Sequence, residues 1–203
     1  MTEQHSSGPQ MAGVILAGGR SSRFGSDKAL AMLDGRPLLD WAVQALRPRC
    51  AVLAVSLRPD APGRVLAEAH GLAILADAPG DAPGPLAGVL AGLEWAVRQG
   101  ATRLAVRPVD TPFLPADLLD RLEAALGEAP AAYAATSEGP EPLCSLWTPA
   151  ALAPLAAAMA GGRHPPAHAL LEDMGAATWT APDARAFANI NRPTDLARAR
   201  SEA

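Results

Sequence analysis

Short apolar runs alternate along this chain with stretches whose apolar residues recur every three or four positions. Ala12–Ala17 is an unbroken apolar run of strand length and predicts a buried first strand. Pro37 then opens a helix in which Leu38, Leu39, Ala42, Val43 and Leu46 share one face. Ala51–Leu57 predicts a second strand, Gly63–Ala69 a short helix and Ala73–Ala76 a third strand. Pro85 begins a helix that reaches about Gln99, and Arg103–Val106 is a fourth strand. Leu118, Leu119, Leu122 and Leu126 form the apolar stripe of a helix starting at Pro115. Beyond Ala129 the pattern loosens. Ala131–Thr136 and Leu143–Trp147 read as strands, Ala150–Met159 as a helix, and a final helix is expected after Pro193. Gly161–Pro166 breaks the chain, because tandem Pro165-Pro166 cannot sit inside a helix. Such alternation predicts a three-layer α/β fold, Rossmann-like, with a mostly parallel central sheet and helices on both faces.

Bulk composition narrows the class. A chain of 203 residues holds one domain with a real core, expected over residues 11–203. Residues 1–10 are polar and lack an apolar segment, so they are expected to be a disordered tail rather than a signal peptide. No apolar run is long enough to span a membrane, and a net charge of −4 offers no basic footprint for nucleic acid. Cys50 and Cys144 fit no metal or redox spacing, which suggests buried free thiols in a reducing cytoplasm. A cytoplasmic monomer is the simplest expectation.

The chemistry begins after the first strand. Lys28 is the one lysine among 17 basic residues, and it closes the segment Leu16-Ala17-Gly18-Gly19-Arg20-Ser21-Ser22-Arg23-Phe24-Gly25-Ser26-Asp27-Lys28. Paired glycines let backbone amides approach an anion without a Cβ in the way. Arg23 as a planar fork and Lys28 as a point charge can serve the same anion, so the segment reads as a triphosphate cradle. It is neither a P-loop nor a dinucleotide fingerprint, since Gly18 and Gly19 are adjacent and Ser26 follows Gly25.

Three loops follow strands and precede helices: 18–28, 77–84 and 110–112. In open parallel sheets such loops gather on the edge where ligands bind. Asp110, between Pro108 and Pro112, suits a magnesium ion shared with substrate phosphates, or else caps the following turn. Asp77 either accepts hydrogen bonds from a base or ribose or simply ends its strand. Gly84-Pro85-Leu86-Ala87-Gly88 marks a helix start whose free amides favour negative groups, with helix packing around Gly88 and Gly92 as the other account. Asn189 and Asn191 are the only asparagines. In an extended triplet both amides share a face, where they hold a heterocycle, or they serve as turn formers before Pro193. The four histidines show no ligand spacing.

Taken together, these segments resemble the molybdenum cofactor guanylyltransferases, a branch of the glycosyltransferase-A-like nucleotidyltransferases. The resemblance rests on L-A-G-G-x-x-x-R-F-G-x-x-K at 16–28, G-P-L-A-G at 84–88, P-V-D-T-P-F-L-P at 108–115, P-L-C-S-L-W at 142–147 and N-I-N-x-P-x-D-L at 189–196. It implies transfer of GMP from GTP to molybdenum–molybdopterin with release of pyrophosphate. It also implies that the backbone of Leu16, Ala17, Gly18 and Gly19 faces guanine and phosphates, and that Lys28 and Arg23 hold the triphosphate. Asp77 would contact guanosine, Asp110 would bind Mg2+, and Asn189 and Asn191 would lie on the pterin side. Molybdopterin-carrier proteins and apo-molybdoenzymes are the implied partners. Cytidylyltransferase relatives read L-A-A-G at the first motif, so the doubled glycine points to guanine. The alternatives are a cytidylyl- or sugar-1-phosphate nucleotidyltransferase, and a silent nucleotide-binding protein. Within the family pattern, Val109 stands before the aspartate where a cysteine is common, Val55 where some members have asparagine, and Glu141 where histidine or glutamine is usual.

Overall fold

The computed structural model describes residues 10–18, 27–58, 60–76, 84–190 and 195. The elements in chain order are β1 (Met11–Leu16), β2 (Met32–Leu33), β3 (Arg36–Pro37), α1 (Leu38–Leu46), β4 (Val52–Leu57), α2 (Arg64–Ala69) and β5 (Ala73–Ala76). They continue with α3 (Pro85–Arg98), β6 (Arg103–Pro108), α4 (Leu118–Leu126), β7 (Ala131–Thr136), β8 (Gly139–Trp147), α5 (Leu152–Met159), α6 (Ala167–Asp173) and β9 (Ala177–Thr180). Seven strands form one sheet in the order β5-β4-β1-β6-β8-β7-β9. All run in one direction except β8, which is antiparallel to both neighbours. The expected α/β architecture is therefore the observed one.

Why the sheet is three-layered follows from strand alternation. Met11 and Ile15 of β1 pack into a cluster with α1 and α4, whereas Ala12, Val14 and Leu16 pack on the other face with α3, α5 and α6. Both faces of β1 are thus buried, which is why it reads as a continuous apolar run. The α3 helix lies unusually close to the strands. A Cβ built on Gly88 would stand 2.7 Å from Ser56 Oγ and 2.8 Å from Leu16 Cδ2, and one on Gly92 would stand 3.0 Å from Val14 Cγ1. The packing account of these glycines holds, and it brings the start of α3 down onto the ends of β1 and β4. Gly88→Val should push that helix end outward. We expect a loss of about 1–3 kcal/mol, read as a fall in melting temperature of roughly 3–10 °C; an unchanged melting curve would mean the contact relaxes freely.

Several features go beyond the sequence expectation. The segment Met32–Pro37 forms a two-stranded ladder turned at Asp34 and Gly35, both with positive φ. The β7–β8 hairpin closes between Thr136 and Gly139, which forces β8 to run backwards. β8 starts at Gly139 rather than Leu143, and its register jumps: Tyr133 pairs with Ser145 but Ala134 pairs with Glu141. Pro142–Cys144 bulge out between those pairs, as expected where a proline has no N–H for the ladder. The strand β9 and helix α6 were not anticipated; both are short, and α6 starts directly after Pro166. The anticipated tail at 1–10 (save Gln10) and final helix after Pro193 (save Asp195) lie outside the described residues. Among the described residues no helix is long and apolar enough to cross a membrane.

Candidate functional site

The carboxyl ends of β4, β1 and β6 lie side by side, with Leu16 in register with Ser56 on one side and Pro108 on the other. The connections leave this edge in an ordered way. Ala17 N–H donates to the Ser56 carbonyl at 3.1 Å, and Val109 N–H donates to the Leu16 carbonyl at 3.0 Å. Leu16 is buried, Ala17 half-buried and Gly18 exposed, so the chain emerges from the core where the glycines begin. Gly19 and Arg23 lie outside the described residues, as does Asp77.

Beyond that loop the chain returns as a 3-10 turn, Lys28–Leu30. The Lys28 ammonium donates to Asp110 Oδ2 at 2.7 Å, across 82 residues of sequence. The two side chains retain 22% and 17% of their exposure, so the pair borders solvent without being loosely solvated. Asp110 itself is held by its neighbours' backbone. Ile190 N–H donates to the Asp110 carbonyl at 2.8 Å, which brings Ile190, and Asn189 beside it in the chain, to the same edge. Ile190 is buried in the core and Asn189 is exposed, so the isoleucine points inward as expected. Asn191 lies outside the described residues.

Two contributors were not singled out from sequence. Asp27 caps the Lys28 turn by accepting from Ala29 N–H at 3.0 Å. Arg107, 5% exposed inside β6, donates through Nη2 to the Thr111 carbonyl at 2.7 Å, bracing the turn that carries Asp110. Its Nε makes no hydrogen bond among the described residues. Burial pulls the guanidinium down to about 10, opposed by Cys144, so it remains charged at neutral pH. The signal was available: an arginine within the apolar run Leu104–Val109 needs a reason to be there. Burial pushes the Cys50 and Cys144 thiols up to about 12, in keeping with structural cysteines. Desolvation, with Glu138 adding to it, raises the half-buried Glu141 carboxyl near the β8 bulge.

The donor set at Asp110 fits a magnesium ion of one kind. Among the described residues no three His, Cys, Asp or Glu side chains are grouped to hold a metal alone. A single carboxylate at a strand end, beside one lysine, suits an ion whose remaining ligands are substrate phosphates and water.

Residues 13–178 match the MobA-like NTP transferase domain. This chain belongs to the MobA-like nucleotidyltransferase family. It is 44% identical over 193 residues to a molybdenum cofactor guanylyltransferase from Cereibacter sphaeroides, covering 95% of this chain and 96% of that one. The crystal structure of molybdopterin-guanine dinucleotide biosynthesis protein A from Archaeoglobus fulgidus shares the fold, with a TM-score of 0.73, 24% identity and coverage of 95% and 98%. So does 2-C-methyl-D-erythritol 4-phosphate cytidylyltransferase from Thermus thermophilus, with a TM-score of 0.65, 23% identity and coverage of 93% and 96%. As a MobA-like nucleotidyltransferase the chain is an enzyme acting on a nucleotide. At the β1, β4 and β6 edge a lysine and a carboxylate meet at strand ends, the kind of margin at which open α/β sheets bind ligands.

Proposed function

We propose that this nucleotidyltransferase moves GMP from GTP onto molybdenum–molybdopterin, giving the guanine dinucleotide cofactor and pyrophosphate. The observation that carries this reading is the 2.7 Å approach of Lys28 to Asp110 at the edge where the L-A-G-G loop emerges. Supporting it is the near-full-length likeness to a guanylyltransferase.

In this reading a phosphate oxygen of the pterin attacks the α-phosphorus of GTP in line. One P–O bond forms as the α–β bridging bond breaks, and pyrophosphate leaves with that oxygen. The nucleophile is already anionic, so the protein needs neither a covalent intermediate nor a base. The barrier comes from bringing two anions together, and positioned charge is what lowers it. Lys28 and Arg23 would bind the triphosphate, with the Leu16–Gly19 amides beneath it. Asp77 would take hydrogen bonds from guanosine, and Asn189 and Asn191 would orient the pterin. Asp110 would hold Mg2+, which when bound neutralises charge on the phosphates. Arg107 and Ile190 keep the Asp110 turn in place from either side.

The test is incubation with Mg2+, molybdenum–molybdopterin and GTP, CTP or UTP in turn, with mass detection of the product. GTP should give the guanine dinucleotide at a rate at least about tenfold above CTP, which corresponds to about 1.4 kcal/mol of discrimination. A preference for CTP would move the chain to the cytidylyl branch. GTP binding without pyrophosphate release would leave a nucleotide-binding protein only.

A further inference from the structure

Asp27 makes a second contact that its role as a turn cap does not require. While Oδ1 accepts from Ala29 N–H, Oδ2 accepts from Gly63 N–H at 2.7 Å, 36 residues away at the entrance to α2. The approach depends on glycine. A Cβ built on Gly63 would stand 2.9 Å from Asp27 Oδ2 and 2.9 Å from Ala29 Cβ. One carboxylate therefore ties the far end of the glycine loop to the segment that follows β4. Ala29 is fully buried, and Ala31 N–H donates to the Lys28 carbonyl at 3.1 Å, so the backbone around Lys28 is held on both sides.

We propose that Asp27 is a positioning residue for Lys28, fixing through Gly63 where its ammonium stands. A lysine has four flexible methylenes, and its charge is placed only as well as the backbone beneath it. A carboxylate accepting two backbone N–H groups is a strong, charge-assisted anchor. Asparagine has one acceptor oxygen and would turn an amide N–H toward the second donor, so it would satisfy half of the clamp. Alanine would satisfy neither. The proposal rests on the reading of Lys28 as the triphosphate lysine for its consequence, though not for its geometry.

The test uses the fact that Lys28 is the only lysine. Reductive methylation with ¹³C-formaldehyde labels the full chain at Lys28 and the α-amino group, and the signal absent from Lys28→Met is the one assigned to Lys28. Asp110→Asn supplies the reference shift for Lys28 without its carboxylate. Asp27→Ala and Gly63→Ala should move the Lys28 signal at least halfway to that reference. Asp27→Asn should move it less, and serves if the alanine variant unfolds. GTP affinity, measured by equilibrium dialysis with Mg2+, should fall roughly tenfold in Asp27→Ala. In a Lys28→Met background the same change should alter it by less than about twofold, since both act on one charge. A Lys28 signal unmoved in Asp27→Asn and Asp27→Ala, or an equal loss of affinity in both backgrounds, would overturn the proposal. The NMR arm involves no nucleotide or pterin. Failure of guanylyl transfer in the unaltered enzyme would therefore reject the proposed reaction and leave the clamp to be judged by the signal.

Discussion

Asp110→Ala should lower turnover on the order of 10²–10³-fold, a loss of about 2.7–4 kcal/mol in transition-state stabilisation, while leaving the fold intact. The fold survives because the turn does not depend on the carboxylate. Val109 is bonded to Leu16, the Asp110 carbonyl to Ile190, and the Thr111 carbonyl to Arg107, all through atoms the substitution leaves alone. Lys28 loses an acceptor while keeping only 22% of its exposure, so the melting temperature should fall by the few degrees that a lone, part-buried charge costs, without loss of the fold. The check is pyrophosphate release with GTP, Mg2+ and the pterin acceptor, alongside a thermal melt. If Asp110 holds Mg2+ as proposed, raising Mg2+ should not restore the rate, because a ligand is then missing rather than weakened. Near-normal release by the folded variant would remove Asp110 from the chemistry and leave it as the turn cap that its sequence setting also allowed.

Much of this site was legible because strand ends declare themselves. Ala12–Ala17 is apolar throughout since both faces of β1 are covered, and the chain leaves the core at Gly18. Lys28 stood out by its uniqueness, and Asp110 by its place between two prolines after a strand. Neither signal carried the other: only parallel pairing of β1 with β6 converts an 82-residue separation into a 2.7 Å contact. Asp27 was hidden for a related reason. Its partner Gly63 lies in a different connection, and a glycine needed for close approach looks in sequence like one needed for a turn. The second half of the sheet was harder. Period-2 alternation fails across Pro140 and Pro142, so the bulge in β8 erased the pattern that would have lengthened that strand. The four residues of β9 are only half-buried or exposed and carry little apolar signal. Arg107 was a missed inference rather than a hidden one, because a charge within a buried strand run is conspicuous.

Lys28→Met should weaken GTP binding and turnover together, by roughly 10²-fold in kcat/KM, or about 2.7 kcal/mol. Methionine keeps much of the side chain's length and apolar stem, so packing around the 3-10 turn is retained and the charge alone is tested. Lys28→Arg should recover only part of the loss. A guanidinium is planar and bulkier than an ammonium, and the site is built for a point charge 2.7 Å from one carboxylate oxygen. The stability cost should be about 1–3 kcal/mol, seen as a melting temperature lower by roughly 3–10 °C, because Asp110 keeps only 17% of its exposure and loses a charged donor. That cost separates two accounts of the pair. If Lys28 serves the triphosphate, removing Lys28 and Asp110 together should restore much of the stability, since no lone charge remains, yet restore none of the turnover. If the pair is only a structural bridge, the double variant should recover both. Melting curves and pyrophosphate release on the two single variants and the double variant decide between them.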